Sequence, residues 1–276
     1  MASVRTIDAF RKRYGPWAFI AGGTEGLGFE FSLLAAEYGL HVAIAGRRKE
    51  KLEAVERQIR KQFPVEVLPI QCDLSNDGAQ GIIDTALKDR AVGLFVYNAC
   101  SSLVGPFLSY SVEEHQKVID TNCRGPLHLS RYFGERMKEI RKGGIILMSS
   151  MSGLQGTPMV ASYAASKAFN LVLAQSLWKE FALYNVDVLS CIAGATLTPN
   201  YLATKIPGKS CSAPEMEPRP VVQEAFRKLG KTPYFVAGLK NKAAVFFLRM
   251  LTGKKGAIHL VANNMFRQYG PIEPED

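Results

Sequence analysis

Short apolar runs alternate with longer amphipathic segments along most of the chain. Runs that stop at glycine or polar residues predict buried strands over residues 17–21, 41–45, 65–72, 92–97, 143–148, 186–192 and 232–238. Segments with helical spacing predict helices over residues 29–38, 49–62, 79–87, 112–137, 162–181, 220–229, 241–251 and 257–267. Strands that alternate with helices form a parallel sheet covered on both faces. We therefore expect an α/β fold with a doubly wound parallel sheet of about seven strands.

The chain has 276 residues, and α/β folds of this length often remain one domain. We expect a single domain over residues 1–276. Within it, residues 198–231 have weak periodicity and five prolines, which is typical of a lid over a binding site. Residues 239–276 are expected to form a helical extension, and residues 5–15 a helix or an arm.

Composition favours a soluble globular protein. Hydrophobic residues make up 47% and charged residues 21%, and no apolar run reaches the ~18 residues that a membrane span needs. The first residues lack the apolar centre of a secretory signal. The five cysteines are scattered and form no CxxC pair, which argues for reduced thiols and against zinc. A cytoplasmic location without a metal site is expected.

The formal net charge of +9 comes from 34 basic and 25 acidic residues. A nucleic-acid-binding protein would cluster its basic residues and interleave them with aromatic ones. Here most of them are spread over predicted helices, so no nucleic-acid partner is expected. The excess is better explained by attraction of an anionic small molecule, such as a phosphorylated cofactor or a thioester carrier.

A glycine-rich turn follows the first predicted strand. Its sequence AGGTEGLG spaces Gly22, Gly26 and Gly28 so that the backbone can approach a pyrophosphate. The helix that follows offers free N–H groups and the positive end of its dipole. Thr24 and Leu27 belong to the same turn. We interpret the turn as a dinucleotide site and count all five residues as cofactor contacts.

Two arginines, Arg47 and Arg48, follow the second predicted strand. A fold that binds NAD usually places an acidic residue there against the ribose 2′-hydroxyl. Guanidinium groups suit a 2′-phosphate, because they can donate two parallel hydrogen bonds to it. NADP(H) is therefore favoured as the cofactor. The alternative is that the arginines only face solvent.

Polar residues also mark the ends of the third and fourth strands. Asp73 is placed to accept a hydrogen bond from an adenine amino group or to cap the next helix. Asn98 is placed to tie strands together or to face the cofactor. Asn122 lies inside a long predicted helix with a break at residues 125–126. An Asn there is mildly unfavourable, which favours either a bend that turns a carbonyl towards a water or an ordinary surface residue.

Residues 148–170 carry the candidate chemistry. Ser150 ends the fifth strand, and Tyr163 and Lys167 follow on one face of the predicted helix. An ammonium beside a phenol stabilises the phenolate and lowers its pKa from about 10. Such a pair can donate and accept a proton, although Tyr and Lys four positions apart also occur on solvated helix faces.

Two segments bear on partners. The helix over residues 162–181 is apolar on more than one face, which favours a homodimer or homotetramer. Residues 241–251 combine apolar and basic side chains. Packing of that helix against the body or another subunit is favoured over contact with a membrane surface.

In order and spacing, these motifs resemble the short-chain dehydrogenase/reductase family over roughly residues 17–199. The residues that carry the resemblance are the glycine turn, Asp73, Asn98, Ala99, Asn122, Ser150, Tyr163, Lys167, Gly194 and Thr198. The resemblance implies a Rossmann-like fold and hydride transfer with a nicotinamide cofactor. The length and the tail are similar to those of 3-oxoacyl thioester and 17β-hydroxysteroid reductases.

The resemblance also implies catalytic roles. Tyr163 matches the general acid and base, and Lys167 matches the lysine that lowers its pKa and binds the nicotinamide ribose. Ser150 matches the hydroxyl that orients the substrate carbonyl. Asn122 matches the residue whose backbone holds a relay water.

Cofactor roles follow in the same way. The three glycines match the pyrophosphate turn, Asp73 the adenine contact and Asn98 the strand-end asparagine. Arg47 matches the position that selects NADP. Thr196 and Thr198 match the turn near the nicotinamide, with Thr198 as a carboxamide and phosphate contact.

Several positions depart from the family pattern. Cys100 and Ala193 replace a glycine and a proline, Tyr97 precedes the strand-end asparagine, and Glu25 stands where many NADP-preferring members have a basic residue. The implied function is an NADPH-dependent carbonyl reductase or alcohol dehydrogenase for an apolar or acyl-type ketone or secondary alcohol. The alternative is a non-catalytic NADP(H)-binding sensor or scaffold.

Overall fold

The structure is a computed structural model that describes residues 4–206 and 214–270. Its strands are β1 (Trp17–Ala21), β2 (His41–Gly46), β3 (Val67–Gln71), β4 (Val92–Tyr97), β5 (Gly143–Ser150), β6 (Val186–Ala193) and β7 (Tyr234–Val236). The α-helices of the described residues are α1 (Val4–Tyr14), α2 (Gly26–Glu37), α3 (Lys49–Gln62), α4 (Ala79–Leu87), α5 (Val112–Ile119), α6 (Gly125–Glu139), α7 (Ala161–Phe181), α8 (Pro199–Ala203), α9 (Pro218–Lys228), α10 (Leu239–Leu251) and α11 (Lys254–Tyr269).

All strand pairs are parallel, in the order β3-β2-β1-β4-β5-β6-β7. The expected α/β class and the seven-stranded parallel sheet are confirmed. From β1 the chain builds outwards through β2 and β3, then crosses back to place β4 on the other side of β1. The carboxyl ends of β1 and β4 diverge at this reversal and open the crevice in which such sheets bind ligands.

One hydrophobic cluster covers each face of the sheet. The first contains side chains of α1, α2, α3 and α9, and the second contains side chains of α4, α6 and α7. Every residue of β1 and β4 is buried between them. Burial on both faces explains why these strands are continuous apolar runs in the sequence and lack a polar alternation.

Helix α9 is part of the first cluster. Val221, Val222 and Ala225 are fully buried, and the ring of Phe226 stacks on Phe10 with 4.6 Å between ring centroids. The sequence predicts that this stretch belongs to a lid. That prediction is wrong for α9, because the apolar face of the helix packs into the core. Residues 207–213 of the predicted lid lie outside the described residues.

Helix α7 also packs more of its apolar surface internally than the sequence indicated. Leu173, Leu177, Trp178 and Phe181 contact the second cluster, whereas Val172 is exposed. Part of the apolar surplus that favoured self-association is therefore taken up by the core of the same chain, and Val172 is the part left exposed.

The C-terminal helices α10 and α11 follow β7 in the chain, and β7 is the edge strand of the sheet. No helix of the described residues is long and apolar enough to cross a membrane.

The core position of α9 gives a stability prediction. Phe226→Ala should lower the free energy of unfolding by about 3–5 kcal/mol, because it removes a ring packed against Phe10, Phe31 and Tyr38. Denaturant titration measures the change, with Arg227→Ala as a control on the exposed side of the same helix. The control should cost about 0.5 kcal/mol or less. An equally small cost for Phe226→Ala would mean that α9 is a loosely attached lid after all.

Candidate active site

A cleft of about 990 Å³ opens along the carboxyl edge of the sheet. It gathers most of the residues predicted from the sequence, namely Gly22, Thr24, Gly26, Leu27, Arg47, Arg48, Asp73, Asn98, Ser150, Tyr163, Lys167, Thr196 and Thr198. Gly28 and Asn122 do not line it. The positions of these two residues therefore need a separate explanation.

The glycine turn connects β1 to α2. Gly22 and Gly26 have φ angles of +75° and +53°, which side chains other than glycine rarely adopt. Gly28 has a different reason to be glycine. A Cβ at that position would lie 1.9 Å from the carbonyl oxygen of Gly22 and 2.6 Å from Nδ2 of Asn98. Gly28 therefore allows α2 to pack closely against the end of β1, although Gly28 itself does not line the cleft.

The amino end of α2 suits a pyrophosphate. Glu25 precedes the helix and its side chain accepts no capping hydrogen bond from the first turn. The N–H groups of that turn are free of a side-chain cap beside the lining residues Gly26 and Leu27, and they carry the positive end of the helix dipole. Thr198 lies close to Gly26, where an added Cβ would come within 2.6 Å of its methyl group. Thr198 therefore packs against the turn itself and borders the place where a phosphate would meet the amino end of α2.

The two arginines after β2 have different surroundings. Arg48 forms an ion pair with Glu25, and Lys51 pairs with the other oxygen of the same carboxylate. Burial would raise the pKa of Glu25, but the hydrogen bonds from Lys51 and Arg48 outweigh it and lower the pKa. Arg47 is exposed at the cleft and its charge acts on Asp73. Arg47 is therefore the arginine better placed for a 2′-phosphate, and Lys51 was missed by the sequence analysis.

Asp73 and Asn98 form hydrogen bonds that fix the backbone at the edge of the cleft. Asp73 accepts hydrogen bonds from the amide and the hydroxyl of Ser75, at 3.0 and 2.7 Å. Burial would raise the pKa of Asp73, but these bonds and Arg47 lower it. The alternative in which Asp73 caps the next helix is wrong, because Gly78 precedes α4. Asn98 donates to the Gly22 carbonyl at 3.0 Å and so ties β4 to the glycine turn.

Ser150, Tyr163 and Lys167 meet between β5 and α7. Ser150 is the last residue of β5, and its hydroxyl lies close enough to that of Tyr163 to lower the pKa of the phenol. Lys167 is only 4% exposed and donates to the Met148 carbonyl at 3.3 Å. Its ammonium lies 5.4 Å from the centre of the Tyr163 ring. The predicted trio is therefore brought together on one wall of the cleft.

The ionisation of this trio differs from the sequence expectation in one respect. Burial raises the pKa of Tyr163, and the opposing effects of Lys167 and of the Ser150 hydroxyl do not overcome it. Burial would lower the pKa of Lys167, but the neighbouring Cys100 and Tyr163 outweigh it and the pKa is raised. Lys167 lowers the pKa of the phenol, as expected, but the side chains alone do not bring that pKa down to neutral pH.

Asn122 lies behind the trio and is fully buried. Its side chain exchanges two hydrogen bonds with the backbone of Ser101, both at 2.8 Å, and donates to Ser166 of α7 at 2.9 Å. It therefore joins the cleft loop after β4 to the helix that carries Tyr163. The alternative of an ordinary surface residue is wrong.

The predicted break near Asn122 is a π-helical turn over Asp120–Arg124, between α5 and α6. Pro126 has no N–H and cannot donate the hydrogen bond that an α-helix would give to the Asn122 carbonyl. The hydroxyl of Tyr97 donates to the Thr121 carbonyl at 2.6 Å and holds the turn in place. Turns of this kind occur often at functional sites.

Helices beyond β6 supply the opposite wall of the cleft, which the sequence analysis did not foresee. Residues of α10 and α11 that line it are Ala244, Val245, Leu248, Leu260, Val261, Asn264, Met265, Gln268 and Tyr269. The buried Gln268 donates to the Tyr269 hydroxyl at 2.9 Å, and Tyr269 is close enough to act on the pKa of Tyr163. The helical spacing of the α11 residues shows that they share one face, but it does not show that this face lines the cleft.

Comparison with known proteins agrees with this arrangement. The family model for short chain dehydrogenases matches residues 16–205. A 7beta-hydroxysteroid dehydrogenase of Clostridium sardiniense is 33% identical over 84% of this chain and 89% of the relative. A very-long-chain 3-oxoacyl-CoA reductase of Aspergillus terreus is 28% identical over 92% of this chain and 74% of the relative.

A solved structure concerned with 7beta-hydroxysteroid dehydrogenase stereoselectivity is also similar. It is 30% identical to this chain, with a TM-score of 0.85, and the match covers 91% of this chain and 98% of that one. The fold, the cleft and the family match lead to one conclusion. The chain belongs to the short-chain dehydrogenase/reductase family of oxidoreductases, which act on CH–OH groups.

Proposed function

We propose that the protein is an NADPH-dependent reductase of an apolar ketone, which also oxidises the matching secondary alcohol. The observation that carries the proposal is the convergence of Ser150, Tyr163 and Lys167 on one wall of the cleft that also holds the glycine turn. The residues at that turn fit a dinucleotide, and a bound nicotinamide would supply the hydride in reduction and accept it in oxidation.

The side chains of the protein polarise the ketone and transfer the proton. Tyr163 and Ser150 lie together, so both hydroxyls can donate hydrogen bonds to one ketone oxygen and polarise the carbonyl. As the carbonyl carbon gains the hydride, the oxygen takes the proton of the Tyr163 hydroxyl and becomes an alcohol. In oxidation the Tyr163 phenolate takes the alcohol proton back.

The raised pKa of Tyr163 favours reduction at neutral pH. Reduction needs the protonated phenol, which the raised pKa keeps in that form through neutrality. Oxidation needs the phenolate, so its rate should rise with pH. Lys167 supports both directions, because its buried ammonium stabilises the phenolate and restrains the upward shift of the pKa.

Asn122 is proposed as a positioning residue at the start of a proton path to solvent. The π-helical turn and Pro126 leave its carbonyl without the usual α-helical donor, which makes it available to an ordered water. Its side chain fixes Ser101 and Ser166 on either side of the trio.

Arg47 is proposed as the residue that selects NADPH. Arg48 and Lys51 are occupied by Glu25, whereas Arg47 lies exposed at the end of β2 beside Asp73. A 2′-phosphate there would meet a guanidinium that can donate two hydrogen bonds.

The substrate is proposed to be a rigid fused-ring ketone, such as a 7-ketosteroid. The cleft wall formed by α10 and α11 is largely apolar, with Asn264 and Gln268 as polar exceptions. A pocket of this kind orients a large apolar substrate through few polar contacts. The hydroxysteroid relative matches with higher identity and over more of its own length than the 3-oxoacyl relative, so a long-chain 3-oxoacyl thioester is the second candidate.

A non-catalytic cofactor sensor was the alternative from the sequence. The expected mark of such a protein is the loss of Ser150, Tyr163 or Lys167. All three are present and lie together in the cleft, which supports the enzyme.

Self-association is proposed along α5, α6 and α7. Val112, Ile119, Leu127 and Val172 are exposed apolar side chains on these helices.

Light scattering at working concentration should give the mass of a homodimer or homotetramer, and a monomer mass would contradict this arrangement.

The function is tested by an NADPH-oxidation screen over two ketone classes, 7-ketosteroids and 3-oxoacyl-CoA thioesters. We expect NADPH to be consumed in equal amounts to the alcohol formed, with the steroid preferred because a rigid ring system fits the apolar wall. Sugars and quinones serve as control ketones. Consumption of NADPH with only the controls, or with no substrate, would contradict the proposed substrate.

Cofactor choice is tested by Arg47→Ala with Arg48→Ala as the matched control. Loss of a hydrogen-bonded charged contact worth about 1.5–3 kcal/mol should weaken NADPH binding by roughly 10- to 150-fold and leave NADH binding unchanged. Arg48→Ala should have a smaller effect, because Glu25 holds that side chain. Calorimetric titration of both cofactors measures the affinities. An equal loss for NADPH and NADH would overturn the role of Arg47.

A further inference from the structure

Helix α10 presents an apolar outer surface to solvent. Of the 18 exposed large hydrophobic side chains in the described residues, five lie on this helix: Leu239, Phe246, Phe247, Met250 and Leu251. Phe246 is 60% exposed and Leu251 is 71% exposed. Contiguous exposed apolar surface of this kind marks a site of interaction.

The surface follows from how α10 is built. Leu239, Phe246 and Met250 repeat at helical spacing on one side of the helix, with Phe247 and Leu251 next to them. The buried Val245 and the half-buried Leu248 lie on the other side, where both line the cleft. Helix α10 is therefore apolar on its solvent side as well as on the side that packs against the enzyme.

The positive charge of the protein is concentrated in the part of the chain that carries this surface. Residues 225–270 contain no acidic residue and nine basic ones: Arg227, Lys228, Lys231, Lys240, Lys242, Arg249, Lys254, Lys255 and Arg267. Nine of the 34 basic residues lie there, so the other 25 balance the 25 acidic residues of the chain. The net charge of +9 is thus the charge of this segment.

A groove at the edge of the surface combines apolar lining with basic residues. It has a volume of about 550 Å³ between β7 and α10, with Phe235, Val236 and Phe246 among its apolar lining. The basic residues at its border are Lys228, Lys242 and Arg249. Lys242 pairs with Glu224 at 2.5 Å, and among the described residues no ion pair is formed by Lys228 or Arg249. An apolar groove with free cations at its border suits an acyl chain with an anionic headgroup.

Charge decides between the two occupants that an apolar surface of this kind favours. A second copy of the chain, placed face to face, would bring like charges together, because residues 225–270 contain no acidic residue to neutralise them. An anionic lipid surface attracts the same cations while its interior accepts the exposed rings. The charge distribution therefore favours the lipid surface.

We propose that the outer face of α10, with the basic residues of the segment that carries it, binds the protein to an anionic lipid surface. The inference rests on the exposed side chains and the charge, and it stands whether or not the proposed function is correct. If that function holds, the arrangement has a further consequence. The other side of α10 lines the cleft through Val245 and Leu248, so the cleft would open close to the membrane in which apolar ketones dissolve.

The test is cosedimentation of the full chain with two kinds of vesicle, phosphatidylcholine alone and equal parts phosphatidylcholine and phosphatidylglycerol. We expect binding to the anionic vesicles, little binding to the neutral ones, and release at high salt. Phe246→Ser combined with Phe247→Ser should abolish binding, because both rings are exposed and their removal leaves the core intact. Lys254→Gln combined with Lys255→Gln should lower the partition coefficient by about fivefold for each charge removed.

Matched controls lie at the opposite, amino edge of the sheet. Leu183→Ser removes an exposed apolar side chain just before β6, and the pair Lys12→Gln and Lys61→Gln removes two exposed charges at the ends of α1 and α3. All three substitutions should leave vesicle binding unchanged. An equal loss in the controls would show that only overall charge and hydrophobicity matter.

Three other results would overturn the proposal. They are equal binding to neutral and anionic vesicles, no binding to either, and a homo-oligomer in sedimentation velocity that is lost in the Phe246/Phe247 double variant. The last result would assign the face to a second copy of the chain. NADPH turnover is measured on the same preparations, so a failure of vesicle binding and a failure of the proposed function are recorded separately.

Discussion

The site depends on one interaction, that of the buried Lys167 ammonium with the Tyr163 phenol. Taking a charge out of water is costly unless polar groups surround it. Here the Met148 carbonyl accepts from it, and the Cys100 thiol and the Tyr163 phenol adjoin it. These contacts keep the lysine charged in the interior. A charge held there acts on the phenol much more strongly than it would in water.

The fold keeps that charge in place through close contacts between β5, α7 and the loop that joins them. The Ser149 hydroxyl donates to the backbone carbonyl of Lys167 at 2.7 Å. Gly153 lies against the backbone of the same turn, where an added Cβ would come 2.7 Å from the carbonyl carbon of Lys167. Asn122 then fixes α7 from the other side through Ser166. The positions of the reactive groups thus depend on packing that a loop alone would not provide.

Sequence reasoning predicted best what depends on local pattern. Buried strands such as β1 and β4 are continuous apolar runs, and α3 and α4 have clear helical spacing, so their bounds agree with the structure. The glycine turn could be recognised because its strand and helix stand on either side. Helix α2 begins earlier than expected, at Gly26, because the turn itself forms the first helical residues.

What the sequence could not show depends on contacts between distant residues. The pairing of Arg48 and Lys51 with Glu25 joins residues that only the fold brings together, so the two arginines looked equivalent. The π-helical turn spans only five residues, too few to change the apolar pattern visibly, and only the break at residues 125–126 pointed to it. The assignment of α9 to a lid was wrong because several prolines obscured an apolar face that packs on α2 and α1. The wall formed by α11 depends on where the C-terminal helices fold back, which periodicity does not determine.

The central claim is that Tyr163 transfers the proton while the cofactor is held by other residues. Its most direct test is the single-turnover rate of hydride transfer, followed by NADPH absorbance, in the wild type and in Tyr163→Phe, with NADPH affinity measured on the same samples. The account predicts a rate lower by about 10²–10⁴-fold with nearly unchanged NADPH affinity. A wild-type rate in the variant, or a loss of rate that is explained by lost NADPH binding, would contradict it.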